Sequence, residues 1–224
     1  MLPSEKENYD NVKKHLDLQF NKLFFQIGTN DGNDAFRLLV EEYEPEKIFL
    51  VEPWGSLYEK IHKSYNGQNY TLIEGVIHDK KEDDELSFSP SEAVLYFPEN
   101  AMNDTGHSTL VPVTNWNKEE LTPRKAPAYN FNDICHKHNI TEIEFLMLDT
   151  EGYDNVILNS INFNKVKINN IMTENFGFDT EEYYTDYRER DFLGKTGMDN
   201  IYKKLTKLNY KRVKLEYDTL FVLQ

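Results

Sequence analysis

Apolar residues along the chain come in short continuous runs, separated by stretches whose apolar positions recur at helical spacing. Leu23-Phe24-Phe25-Gln26-Ile27 is the first such run, and Asp34-Ala35-Phe36-Arg37-Leu38-Leu39-Val40 after it has the three-to-four period of a helix with one buried face. The same alternation continues. Strands are predicted at 23–27, 48–52, 70–77, 144–149 and 168–174, and helices at 34–43, from Ser56 as N-cap, at 131–138, 153–160 and 198–207. Strand runs with no polar alternation are buried on both faces, and strands alternating with helices of about ten residues build right-handed parallel βαβ units. The pattern therefore predicts an α/β, doubly wound, mostly parallel sheet.

Three stretches depart from the alternation. Residues 6–20 read as a thinly apolar N-terminal helix, expected against the sheet edge. From 79 to 130 the pattern breaks into a short hairpin, with Leu86-Ser87-Phe88 opposite 93–97, then a turn-rich segment and a proline-punctuated loop. A second irregular insert covers 177–195. Long inserts in a compact domain are commonly functional, so both are expected on the substrate side. The chain closes on a hairpin, 209–215 with 218–223. With 224 residues and no linker or repeat, a single domain over 1–224 is expected.

Charge narrows the partners. The 25 basic and 39 acidic residues leave a net −14, which argues against nucleic acid, where affinity comes from Lys and Arg on phosphates. Cys135 alone allows neither a disulfide framework nor a multi-cysteine metal site. No leader pattern or apolar run of about 18 residues is present, so a cytoplasmic protein without membrane contact is expected.

Two stretches carry chemistry. The first strand ends in Gly28-Thr29-Asn30-Asp31-Gly32, a glycine turn opening a helix, the arrangement that cradles a nucleoside ligand. Glu52 stands twenty residues beyond Gly32, at the tip of the second strand, where an acid can take both hydroxyls of a ribose. The second stretch is Asp149-Thr150-Glu151-Gly152-Tyr153-Asp154, following the buried run Phe145–Leu148. Three carboxylates in six residues repel one another unless a cation is near, whether a metal, an ammonium or a sulfonium. No metal is expected, because an oxygen-rich site needs further ligands that the sequence does not identify.

These blocks, Gln26-Ile27-Gly28-Thr29-Asn30-Asp31-Gly32, Val51-Glu52-Pro53 and Leu148-Asp149-Thr150-Glu151-Gly152-Tyr153-Asp154, resemble in order and spacing the signature of the FkbM family of S-adenosylmethionine-dependent methyltransferases, over roughly residues 20 to 175. The resemblance implies a Rossmann-like class I methyltransferase fold, with seven strands and a reversed last strand. It implies O-methylation of a hydroxyl on a small-molecule or saccharide acceptor, with S-adenosyl-L-methionine as cofactor. Carried over by position, Gln26, Gly28, Asn30, Gly32, Glu52, Pro53, Val76 and Asp149 would hold the cofactor, and Asp149 and Glu151 would line the meeting point of donor and acceptor. Gln26 departs from the family, where many members have Asp. Two other readings stand beside this one. A nicotinamide-dependent oxidoreductase is disfavoured by the missing third glycine and by Asp31 and Asp34, which would repel a pyrophosphate. A non-catalytic nucleoside-binding module would keep the cofactor and turn nothing over.

Methyl transfer to a hydroxyl needs a proton acceptor, and the candidates are Asp149, Glu151, Asp154 and His107. His107, in the first insert, has the ordinary histidine range near neutrality, although a loop histidine is also commonly just solvated. Trp54 and Tyr58 could cover an adenine or anchor the second helix. Trp116, Tyr183, Tyr184 and Tyr187, interleaved with Arg188 and Arg190, could stack on an acceptor or pack as a lid. The acceptor's identity and the oligomeric state are not encoded legibly.

Overall fold

A computed structural model describes residues 3–78, 91–98, 110, 121–174, 194–215 and 218–224. In chain order, α1 (Pro3–Lys13) precedes β1 (Leu23–Ile27), α2 (Ala35–Tyr43), β2 (Lys47–Glu52), α3 (Gly55–Ser64) and β3 (Tyr70–Glu74). Three strands then leave the main alternation: β4 (Val76–Ile77), β5 (Ser91–Pro98) and β6 (Leu121–Tyr129). The alternation resumes with α4 (Phe131–Lys137), β7 (Glu142–Leu148), α5 (Asp154–Ser160), β8 (Lys167–Glu174), α6 (Gly194–Lys207), β9 (Tyr210–Lys214) and β10 (Asp218–Leu223).

Seven strands form one sheet in the order β3-β2-β1-β7-β8-β10-β9. All neighbours from β3 to β8 are parallel, and β10 runs antiparallel to both β8 and β9. This is the expected mostly parallel sheet with a reversed last strand. Two hydrophobic cores follow from strand parity, since successive side chains leave opposite faces. Phe24, Ile48, Leu50, Phe145 and Met147 pack with α1, α2 and α3 on one face. Phe25, Ile27, Phe49, Val51, Leu146 and Leu148 pack with α4, α5 and α6 on the other. The Phe25 ring stacks on Phe49 at 5.4 Å and meets Phe131 at 5.2 Å.

Register sets the site. Ile27 pairs with both Val51 and Leu148, and Leu148 with Thr173, so four parallel strands stop level. The residues one step on are Gly28, Glu52, Asp149 and Glu174, and they share the rim of one crevice. Ligands of open α/β sheets bind at such a rim, where strand order reverses direction from the centre.

Several local expectations are corrected. The pattern predicts a helix over 6–20, but α1 ends at Lys13, where the chain turns so that Leu16 and Leu18 enter the core separately. It packs on α2, with Val12 buried and Lys13 paired to Glu42, rather than on the sheet edge. Helix α3 starts at Gly55 behind Trp54, which makes no side-chain cap, so Ser56 is not the N-cap. The strand predicted over 70–77 breaks at Gly75. A Cβ there would fall 2.4 Å from the carbonyl oxygen of Pro127, and the close approach lets β4 leave the main sheet for a second one, ordered β4-β6-β5. The partner of β5 is β6, from Ser91 opposite Ala128 to Pro98 opposite Leu121. The prolines of 121–129 suggest a loop. Yet among the described residues β4 pairs only with Ala128 and Tyr129, so the rest of β6 has one edge without a described partner strand, where proline is tolerated. Residues 86–88, His107, Trp116, Tyr183, Tyr184, Tyr187, Arg188 and Arg190 lie outside the described residues. Among the described residues, no helix is long and apolar enough to cross a membrane.

Candidate active site

A cavity opens at the shared strand rim, its empty space, counted out to open solvent, about 600 Å³. Its floor is Ile27, Gly28 and Asn30 at the end of β1, with Val51, Glu52 and Pro53 at the end of β2. One wall is apolar and comes from Gly75, Val76, Ile77, Leu95 and Leu110. The other is Asp149, Thr150 and Glu151. Among the described residues, no lysine or arginine lines it.

Glu52 is tightly held in this floor. It is only 3% exposed, and its two oxygens accept from separate backbone amides, Asn30 N at 2.8 Å and Trp54 N at 3.0 Å. Burial outweighs those two bonds and raises its pKa to about 7. Each oxygen keeps a further acceptor position, so the carboxylate can take two hydroxyl donors from a ligand in the cavity. Trp54 and Tyr58 sit behind it. Trp54 is buried in the core under the Arg124 guanidinium, and the Tyr58 hydroxyl donates to the Glu52 carbonyl at 3.2 Å, so both act as anchors of this corner.

Backbone geometry tightens the floor. Gly28 has φ 84°, and a Cβ on it would lie 1.8 Å from the carbonyl oxygen of Asp149. Its need for glycine thus comes from the neighbouring loop. Gly32, φ 70°, faces the Tyr65 ring in the same way and does not line the cavity. Asn30 and Glu151, both lining residues, hold left-handed φ values of 50° and 53°. A left-handed residue other than glycine costs about 1–2 kcal/mol, and such strain gathers at ligand sites.

Gln26 lies elsewhere. Its parity with Phe24 sends it to the α2 face, where it is fully buried and its amide nitrogen donates to Asp34 at 2.5 Å. Asp34 in turn caps α2 through the Arg37 amide. Gln26 is not among the residues lining the cavity.

The acidic wall is larger than the sequence shows. One carboxylate oxygen from each of Asp149, Glu151 and Glu174 lies within 4.8 Å of the others. Glu174 was not singled out by the motif. Its signal is positional, an acid ending the strand beside the one that ends in Asp149. Desolvation, then Glu151, Asp154, Asp34 and Asp218, hold the Asp149 pKa well above the ordinary range. Desolvation followed by Asp149, Glu151, Asp154 and Asp218 does the same to Glu174. Asp154 differs. Fully buried, it accepts from the Thr150 amide at 3.0 Å, the Thr150 hydroxyl and the Glu174 amide at 3.2 Å, and desolvation still raises it to about 6. It ties the 149–153 loop to the end of β8. His78 is buried and held by the Tyr129 carbonyl outside the cavity lining, while His136 in α4 and His138 at its C-terminus sit far from the rim. Leu95, in the strand predicted over 93–97, and Leu110, which no periodicity marks, line the cavity from the first insert.

The model of the methyltransferase FkbM domain matches residues 26–212. The chain belongs to the FkbM methyltransferase family. S-adenosyl-L-methionine is the cofactor of that family. No protein of curated function shows a significant sequence match. Among solved structures the chain is similar to a fibrillarin/Nop5p complex, at 12% identity and TM-score 0.45, covering 99% of this chain and 81% of that one. It is also similar to M. capricolum TrmK in complex with S-adenosyl-homocysteine, at 12% identity and TM-score 0.43, covering 96% and 66%, and to the methyltransferase domain of bacterial CtHen1, at 10% identity and TM-score 0.42, covering 97% and 96%. These likenesses concern the fold.

Proposed function

We propose that this FkbM methyltransferase moves a methyl group from S-adenosyl-L-methionine to a hydroxyl of a small molecule or saccharide. The observation that carries the reading is Glu52, a buried carboxylate clamped by two backbone amides and presented to the cavity beside the glycine turn. That carboxylate fits a ribose diol, whose two hydroxyls would donate to it. The apolar wall of Val76, Ile77, Leu95 and Leu110 fits the adenine, and Gly28, Asn30 and Asp149 fit the amino-acid end. Among the described residues a pyrophosphate would instead meet carboxylates and no cation, which weighs against a dinucleotide.

When bound, the cofactor supplies an electrophilic methyl carbon whose bond to sulfur breaks as the acceptor oxygen bonds to it. The chain's own part is positioning and proton removal. Asp149 and Glu151 line the cavity and are the carboxylates placed to accept the hydroxyl proton, and burial, then the neighbouring carboxylates, hold the Asp149 pKa well above the ordinary range. Asp154 is committed to the loop by its hydrogen bonds and is not free for this task. The net charge of −14 and the acidic wall favour neutral or cationic acceptors over nucleic acid.

Incubation with methyl-labelled S-adenosylmethionine and a panel of sugars and hydroxylated small molecules tests the reading. A labelled product is expected, and Asp149→Asn should lower its rate by about 100-fold or more. Donor binding with no product from any acceptor would point to a binding module.

A further inference from the structure

The β9 edge of the main sheet carries a charge opposite to that of the molecule. Residues 203–214, the end of α6 and all of β9, hold Lys203, Lys204, Lys207, Lys211, Arg212 and Lys214 and no carboxylate, in a chain of net −14. Lys204 turns inward, its ammonium donating to the Leu158 and Asn159 carbonyls. Lys203, Lys207 and Lys211 are exposed and form no ion pair among the described residues. The helix dipole accounts for cations in the last turn of α6, Lys204 and Lys207, and not for Lys203 or for the strand beyond. Lys203 and Lys207 also stand four apart on one helix, where like charges repel. That spacing costs the helix stability, so the fold alone does not account for it.

The second observation is the backbone. Strand β9 ends the sheet, paired with β10 on one side and with no described strand on the other. Alternate residues of an edge strand turn their N–H and C=O groups outward. Side chains leave two faces. Tyr210 and Arg212 lie on the α6 side, where the Arg212 guanidinium sits 5.2 Å from the centre of the exposed Tyr202 ring and its Nε is buried without a hydrogen-bond partner among the described residues. Val213 lies half-buried on the other side, with Lys211 by the same parity.

We propose that this edge docks an extended acidic segment of a partner protein, added as a strand beside β9. Main-chain hydrogen bonds to the open edge supply the pairing, and carboxylates along the segment meet Lys211, Arg212 and the exposed lysines of α6. Lysines on an edge bar a like-charged strand, so the feature that admits an acidic segment excludes the β9 of a second copy. A nucleic acid would use the cations and leave the backbone edge unused, whereas an acidic strand uses both. None of these residues lines the cavity at the strand rim, so the proposal does not depend on the donor or the acceptor.

Fluorescence anisotropy of a labelled peptide of about eight residues, alternating glutamate and valine, titrated with the full chain, tests this. Saturable binding is expected. Lys207→Glu combined with Lys211→Glu should weaken it by about tenfold or more, and so should N-methylation of alternate peptide residues, which keeps the charge and removes main-chain donors. Both substituted residues are exposed, so S-adenosylmethionine binding should not change; Lys207→Gln with Lys211→Gln serves if the charge reversal does not fold. No binding, binding that the substitutions leave unchanged, or equal binding of the methylated peptide overturns the proposal. Tighter binding of a single-stranded oligonucleotide of equal charge, lost on the same substitutions, overturns it in favour of phosphates, and a dimer of the chain lost on them overturns it in favour of a second copy.

Discussion

At Gly28 two demands coincide: a φ of 84° and a neighbour, the Asp149 carbonyl oxygen, 1.8 Å from where a Cβ would be. Gly28→Ala is expected to destabilise the fold by about 3 kcal/mol or more, because backbone strain adds to a clash with backbone that cannot swing away. Urea unfolding measures this, and a midpoint equal to that of the unsubstituted protein would contradict the packing described. Gly28, Glu52 and Asp149 are legible in the sequence because each follows a buried apolar run, and a polar residue in that place marks a strand tip. Glu174 obeys the same rule but lies outside the acidic block, so only register shows that it meets Asp149. Gln26 shows how parity decides a residue's fate. Two positions from Phe24, it belongs to the α2 face, and alignment with a family's Asp does not place it in the cavity.

Elements bring these residues together with different degrees of legibility. The main βα units lie within a few residues of their predicted bounds, since a fully buried parallel strand leaves an unmistakable apolar run. The small β4-β6-β5 sheet was hidden. Strand β4 has only two residues, β6 contains Pro123 and Pro127, and the pairing joins residues separated by an irregular insert. That sheet nevertheless supplies the cavity wall of Val76, Ile77 and Leu95. The joint between the two sheets is Gly75, whose Cβ would meet the Pro127 carbonyl oxygen at 2.4 Å and the Tyr129 ring at 2.7 Å. Gly75→Ala should cost about 1–3 kcal/mol by overpacking and lower the melting temperature by roughly 3–10 °C. Because the wall moves with the joint, donor affinity should also fall. An alanine variant with unchanged melting and unchanged donor affinity would show that the wall is independent of this contact.

The whole molecule carries a stability signature of its site. Glu52, Asp154, Asp149 and Glu174 all have pKa values raised by burial, Glu52 to about 7 and Asp154 to about 6. In a folded state with raised carboxyl pKa values, protons stay bound that the unfolded chain releases near pH 4 to 4.5. Stability is therefore greatest at the acid side of that window and falls as pH rises through 6 and 7, by up to about 1.4 kcal/mol per pH unit for each group. Self-repulsion of the net −14 acts in the same direction. The protein should melt at a higher temperature at pH 5.5 than at pH 7.5, and Glu52→Gln should flatten that slope; a melting temperature that climbs over this range would contradict the site's electrostatics. The central claim is that Glu52 organises a donor site at the strand rim. Calorimetric titration of the unsubstituted protein and Glu52→Ala with S-adenosylmethionine tests it most directly. The account predicts affinity in the micromolar range, a range of about −8 kcal/mol, that Glu52→Ala abolishes while the variant stays folded. Equal affinity in the two proteins, or no binding by the folded unsubstituted protein, would contradict it.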